Sequence, residues 1–113
     1  MAVPADLTST ANPRVKALIR LRGNRKARND AASTLIEGYA ELRLALHAGV
    51  RPVELYWAPS LVLPEQTGLL DEARAAGARI TSVSREVFER VAYREGPDGW
   101  LAVAPDPART LAG

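Results

Sequence analysis

Seven side chains in the span 14–28 dominate the chemistry open to this sequence: Arg14, Lys16, Arg20, Arg22, Arg25, Lys26 and Arg28, with no Asp or Glu among them. The chain of 113 residues carries 15 basic and 13 acidic side chains. Outside the span, 8 basic residues therefore face 13 acidic ones, a balance of −5 against +7 inside it. A near-neutral total thus conceals the kind of asymmetry that marks a surface meeting a polyanion. Five of the seven cations are arginine, whose planar fork suits phosphate oxygens and stacks on bases. Nucleic acid is the ligand class favoured by this pattern. The competing reading is a solvated helix face, but like charges four residues apart weaken a helix slightly, so helix stability does not account for seven cations without an acid.

Other reactive side chains are sparse. His47 is the only histidine and there is no cysteine, which excludes disulfides, thiolate metal sites and cysteine nucleophiles and leaves no zinc ligand set. His47 lies near an expected helix C-terminus, where its charged form is favoured by the dipole. Glu37-Gly38 reads first as a tight strand-to-helix turn, with the carboxylate near a helix N-terminus. The alternative is that Glu37 orients a basic side chain or accepts from an RNA group. No second carboxylate or histidine pairs with it in sequence, so acid–base catalysis is not indicated. Tyr39 and Phe88 fall on apolar stripes and read as packing. Tyr93 and Trp100 flank a turn, where each ring either covers the sheet edge or stacks on an unpaired base. Gly96 and Gly99 surround a proline turn and do not open a helix, so there is no glycine-rich phosphate loop.

The elements that must position these groups alternate. Asn12-Pro13 is a helix start, an N-cap residue followed by proline at the first helical position. Val15, Leu18, Ile19 and Leu21 then share one side of the wheel, with Lys16 and Arg20 opposite. Arg14 and Arg22 lie nearer the apolar side, where their stems can pack; Lys16, Arg20, Arg25, Lys26 and Arg28 are expected to be exposed. Gly23-Asn24 ends this helix, and residues 25–32 form a short second helix or a loop. Thr34-Leu35-Ile36 reads as a buried strand, followed by a helix with the stripe Tyr39, Leu42, Ala45, Leu46 and a stop at Gly49. Residues 53–57 form a strand. Thr67 is expected to cap a helix bearing Leu69, Leu70, Ala73 and Ala76. Residues 79–83 form the third strand, Ser84 caps a helix with Val87, Phe88 and Val91 inward, and Gly96-Pro97-Asp98-Gly99 is a turn. Trp100–Ala104 is a last strand with almost no polar face, which suits burial on both sides. Strand–helix alternation of this kind predicts an α/β fold, a sheet of about four strands covered by helices on both faces, with mainly parallel pairing.

The totals are those of one ordinary globular domain, 47% hydrophobic, long enough to bury a core without disulfides or metal. No apolar run approaches the ~20 residues of a membrane span. The N-terminal Met-Ala-Val-Pro-Ala-Asp lacks the pattern of a signal peptide; a cytoplasmic location is expected. The tail 105–113 has two prolines and no partner element and reads as the start of a linker, leaving 1–104 as the domain.

Several segments together resemble one family. Leu7-Thr8-Ser9 and Asn12-Pro13-Arg14-Val15-Lys16-Ala17-Leu18 are similar to the opening of the SpoU (TrmH-type) RNA ribose methyltransferases, and Arg25-Lys26-Ala27-Arg28 to the basic stretch that follows. Leu35-Ile36-Glu37-Gly38, with Leu46 and Ala48-Gly49-Val50, resembles their strand-Glu-Gly-helix segment. Ser84-Arg85-Glu86-Val87-Phe88-Glu89 and Gly99-Trp100-Leu101-Ala102-Val103 resemble the last helix and strand, so that residues 7–104 are covered in order. The resemblance implies an N-terminal substrate-binding domain, a three-layer α/β/α sandwich like the kink-turn-binding ribosomal proteins, and RNA binding, with ribosomal RNA as the substrate and an antibiotic-resistance type as one member class. It implies a separate catalytic domain that binds S-adenosylmethionine and methylates a ribose 2′-hydroxyl, with dimerisation through that domain and a monomeric isolated piece. No cofactor, metal or catalytic residue is expected in this chain. Glu95-Gly96-Pro97-Asp98-Gly99 departs from the family, which often carries a histidine before the proline, so base contacts of that loop do not transfer. The alternatives are a stand-alone binder of structured RNA and a protein-interaction domain with a basic face.

Overall fold

Helix initiation follows the local chemistry. In the computed structural model, which describes residues 5–30 and 32–105, the Asn12 side chain accepts from the Arg14 amide at 2.9 Å and Pro13 opens α1 (Pro13–Gly23). Asn24 ends α1 and its side chain accepts from the Ala27 amide at 3.0 Å, starting α2 (Arg25–Asp30). Strand β1 (Ser33–Glu37) then turns at Gly38 into α3 (Tyr39–His47). Strand β2 (Glu54–Trp57), a 3-10 turn at Pro64–Gln66, α4 (Gly68–Ala75) and β3 (Arg79–Ser82) follow. The Ser84 hydroxyl caps α5 (Arg85–Val91) by accepting from the Val87 amide at 3.2 Å, and β4 (Trp100–Pro105) closes the sheet. Of residues 105–113, read above as linker, Pro105 is the last residue of β4, and 106–113 lie outside the described residues.

Thr67 does not cap α4 as expected. The preceding 3-10 turn leaves it with helical backbone angles, and its hydroxyl donates back to the Pro64 carbonyl at 2.8 Å.

The sheet order is β1-β4-β2-β3. β2 and β3 are parallel, whereas β4 runs antiparallel to both of its neighbours, β1 and β2. The expectation of mainly parallel pairing therefore fails for the last strand. β1, β2 and β3 share one direction, linked by α3 and α4, and β4 is inserted against them. The register shows why: Trp57 pairs with Ser82 of β3 and with Trp100 of β4, so β4 starts at the end of the sheet where β3 finishes. Helix α5 has seven residues, a rise of about 10 Å, and the segment 92–99 brings the chain back to the same end.

Trp100–Ala104 are all buried, and their alternation divides the core in two. Leu101 and Val103 face Val15 and Leu18 of α1, Val87, Phe88 and Val91 of α5, and Tyr56. Trp100 and Ala102 face Leu42 of α3, Leu69 and Ala73 of α4, and Leu55. The result is a three-layer α/β/α sandwich. Leu7 extends it: it bridges Val83 in parallel fashion, exchanging bonds with the Ser82 carbonyl and the Ser84 amide, and joins the core.

Trp100, considered above as a base-stacking residue, is fully buried. Its ring stacks on Trp57 at 6.2 Å between centroids, and its indole N–H donates to Gln66 Oε1 at 3.0 Å. Residues 100–104 of β4, covered by helices on both faces of the sheet, are all buried.

Gly38 is required by its backbone conformation, and a side chain there would also push aside the ends of Glu41 and Arg94. Its φ is +108°, and a Cβ there would lie 2.1 Å from Glu41 Oε2 and 2.7 Å from an Arg94 nitrogen. Gly38→Ala is expected to lower the unfolding free energy by about 1–3 kcal/mol, read from urea unfolding.

Candidate nucleic-acid interface

The seven cations divide into two groups. Arg14, Arg22 and Arg28 hold the fold together. The Arg14 guanidinium donates to the buried Thr81 hydroxyl at 2.8 Å, lies 3.8 Å from Glu54 Oε1 and sits over the Tyr56 ring at 5.6 Å. Arg22 donates to the Arg90 carbonyl at 3.0 Å and lies over the Tyr93 ring at 5.7 Å. Both were expected nearer the apolar side, and both pack there. Arg28 differs from expectation. It is half-buried, and its Nη1 donates to the Leu21 and Arg22 carbonyls at 2.6 and 2.9 Å and approaches the Tyr93 hydroxyl at 3.3 Å. The six-residue helix α2 folds back on the end of α1, and its last turn delivers a guanidinium to carbonyls that α1 leaves without intrahelical partners.

Lys16, Arg20, Arg25 and Lys26 form the second group. All four are exposed, and none makes an ion pair or side-chain hydrogen bond among the described residues. Lys16 and Arg20 are one turn apart on α1, about 6 Å along its axis. Arg25 and Lys26 stand in the first turn of α2, and neither α1 nor α2 has an acidic residue in its first turn. Positive charge at a helix N-terminus opposes the dipole, so these two side chains do not stabilise α2.

Beside this strip the closing turn is tied down by groups that sequence periodicity does not reveal. The side chain of Glu37, at the end of β1, is 6% exposed. Its Oε1 accepts from the Tyr93 amide at 2.6 Å, and its Oε2 lies 3.5 Å from Arg94 Nε. Arg94 also donates to the Glu37 carbonyl at 2.9 Å and pairs with Glu41 at 3.3 Å. Glu37 thus orients a basic side chain, one of its two readings. A backbone hydrogen bond within its own residue holds the Glu41 carboxyl below its usual range, and Arg94 adds to the effect. Asp98 accepts from the Tyr39 amide at 2.8 Å, supplying from the turn the cap that Gly38 cannot give α3. The Tyr93 hydroxyl donates to the Arg22 carbonyl at 2.6 Å, joining this turn to the end of α1. The signal available in sequence was Glu37-Gly38; Arg94 and Asp98 follow no pattern that points to them.

His47 meets Glu72 at 3.1 Å between α3 and α4, a surface contact. No group of three or more His, Cys, Asp or Glu side chains that could hold a metal occurs among the described residues. No helix among them is long and apolar enough to cross a membrane.

The geometry is that of an α/β/α module with a cationic strip on one layer. The chain belongs to the family described as MRM3-like substrate binding domain, which matches residues 12–102. The resemblance to the substrate-binding domain of SpoU (TrmH-type) RNA ribose methyltransferases therefore holds over most of the chain. A crystal structure of an RNA 2′-O ribose methyltransferase is 37% identical, with a TM-score of 0.76 over 93% of this chain and 39% of its own. An rRNA methyltransferase from Sinorhizobium meliloti shares the fold at 23% identity and TM-score 0.73, over 87% of this chain and 35% of its own. So does the SpoU methyltransferase AviRb from Streptomyces viridochromogenes, solved with AdoMet, at 22% and 0.69, over 85% of this chain and 34% of its own. The chain thus spans between about a third and two fifths of these structures. No curated protein matches it.

Two outcomes test the division of the cations and the packing under Arg14. Arg28→Ala is expected to cost about 1–2 kcal/mol in urea unfolding, whereas Lys26→Ala changes stability by less than about 0.5 kcal/mol. Burial, reinforced by the hydrogen bond to Glu54, pushes the Tyr56 phenol up to about 12 from 10.0. The neutral phenol is favoured in the fold, so its contribution is complete below pH 10 and is lost as pH rises through about 12. Ultraviolet titration should show a tyrosine step near pH 12 that Tyr56→Phe removes.

Proposed function

We propose that this domain binds RNA and delivers it to a catalytic domain that methylates a ribose 2′-hydroxyl, with ribosomal RNA as the substrate. The observation that carries this is the four exposed cations Lys16, Arg20, Arg25 and Lys26, which have no ion-pair partner among the described residues and lie in a span, 14–28, with no acidic residue. The membership in a substrate-binding family supports it, as does the 37% identity to an RNA 2′-O ribose methyltransferase. The ribosomal assignment takes its support from the Sinorhizobium meliloti fold relative alone. Binding proceeds by phosphate neutralisation with release of counterions. In this reading S-adenosylmethionine, the cofactor with which AviRb was solved, belongs to the catalytic domain, and none of the described side chains of this chain is assigned to it. The domain by itself is a monomer of the cytoplasm. A stand-alone RNA binder is less well supported, because the 37% identical relative is a methyltransferase of which this fold is one part.

The test is a titration with fragments of ribosomal RNA and a matched DNA duplex at several salt concentrations. Four contacts at about −0.7 each predict a slope of log K against log salt of roughly −3. Changing Lys16, Arg20, Arg25 and Lys26 together to Ala should abolish most of that slope with the fold intact. Arg28 is left out because it caps α1. Equal affinity of the fourfold variant would remove the strip from the interface.

A further inference from the structure

Of the six aromatic side chains, Tyr56, Phe88 and Trp100 are buried, Tyr39 and Trp57 are half-buried, and Tyr93 is 52% exposed. An exposed ring is usually loosely held. This one is pinned on every side that the fold can reach. Its amide donates to the buried carboxylate of Glu37 at 2.6 Å, and its hydroxyl donates to the Arg22 carbonyl at 2.6 Å. The hydroxyl lies 3.3 Å from Arg28 Nη1, and the Arg22 guanidinium lies 5.7 Å from the ring centroid. Two of the seven cations, Arg22 and Arg28, therefore meet at Tyr93 and position it. The residue that follows, Arg94, is locked to Glu37 and Glu41. The ring is fixed against the end of α1 and the last turn of α2 by Arg22 and Arg28, and the exposed Arg25 and Lys26 lie between those two in sequence.

We infer that Tyr93 is a stacking platform for an unpaired nucleobase, so that the RNA taken by this domain presents a single-stranded nucleotide beside the phosphates held by the cationic strip. The inference rests on the RNA-binding reading above and narrows it. Stacking on an aromatic ring is open to a base that is out of a duplex, because paired bases have their faces covered by neighbours. A ring already immobilised loses little entropy when a base settles on it, and an arginine over the ring adds cation–π attraction to the stack. Hydrophobic cover of a sheet edge, the other fate open to this side chain, is not what the fold gives it, since the residue is 52% exposed. Arg22 and Arg28 act here as positioning residues.

The test uses the whole chain, a fluorescent oligoadenylate of about ten nucleotides and an RNA duplex of the same length, with Tyr93→Leu, Tyr93→Phe and wild type compared by anisotropy. Thermal melts establish that each variant is folded. Tyr93→Leu is expected to bind the single strand about 10-fold more weakly, with its salt slope and its duplex affinity unchanged, because no charge is removed. Tyr93→Phe keeps the ring and should bind the single strand within about twofold of wild type, which separates stacking from the hydroxyl tether. Single-strand binding by a folded Tyr93→Leu that equals wild type overturns the platform and leaves the strip standing. Failure of the wild type to bind either RNA at low salt overturns the RNA reading and the platform with it.

Discussion

The insertion of β4 between β1 and β2 is the constraint on which the rest depends. This strand supplies partners to both neighbours and side chains to both halves of the core. Because it enters from the end of the sheet where β3 finishes, residues 92–99 must cross that end and pass close to the start of α3. The ties along that path follow. Gly38 donates to the Trp100 carbonyl at 3.0 Å, and Asp98 caps α3. Gly99 takes a positive φ of +91°, where a Cβ would meet Val62 at 2.8 Å. The closing turn is therefore held by core strands at both ends, and Tyr93 and Arg94 inherit that rigidity.

The same packing decides which cations are free. α1 lies on the sheet with Val15 and Leu18 fully buried, so residues adjacent to that stripe have their stems against the core. Arg14 is drawn to a buried hydroxyl that would otherwise lack a partner, a cost that a hydrogen bond from a charged donor offsets. Arg22 and Arg28 are drawn to carbonyls and to Tyr93. What remains outward is a narrower strip than the charge count suggests. It is also better suited to a polyanion, because its members have no ion-pair partner among the described residues.

A domain of this kind has reason to keep binding and rigidity in the same elements. Phosphate contacts made by flexible lysine and arginine stems give affinity and salt dependence but little selectivity. Selectivity in RNA comes mainly from shape and from unpaired bases, which require a surface that does not yield. The end of α1, the start of α2 and the closing turn meet at one place, and the ion pairs of Arg94 and the bonds of Glu37 make that place stiff.

Much was legible in the residues alone. Asn12-Pro13 determined the start of α1, Ser84 that of α5, and the apolar Trp100–Ala104 run determined a strand buried on both faces, because each depends on neighbours within a few residues. Membership of the cationic span was equally plain, since charge is counted without coordinates. Strand direction was not, because alternation of strand and helix says nothing about the end at which a strand re-enters the sheet; the shortness of α5 and the path of residues 92–99 decided it. Nor could sequence separate Arg28 from Lys26, two residues apart on one short helix, as only the fold-back of α2 brings one of them to the carbonyls of α1. Trp100 and Tyr93 flank the same turn, yet one is sealed in the core and the other stands in solvent. That difference arises from long-range pairing, which no local pattern records.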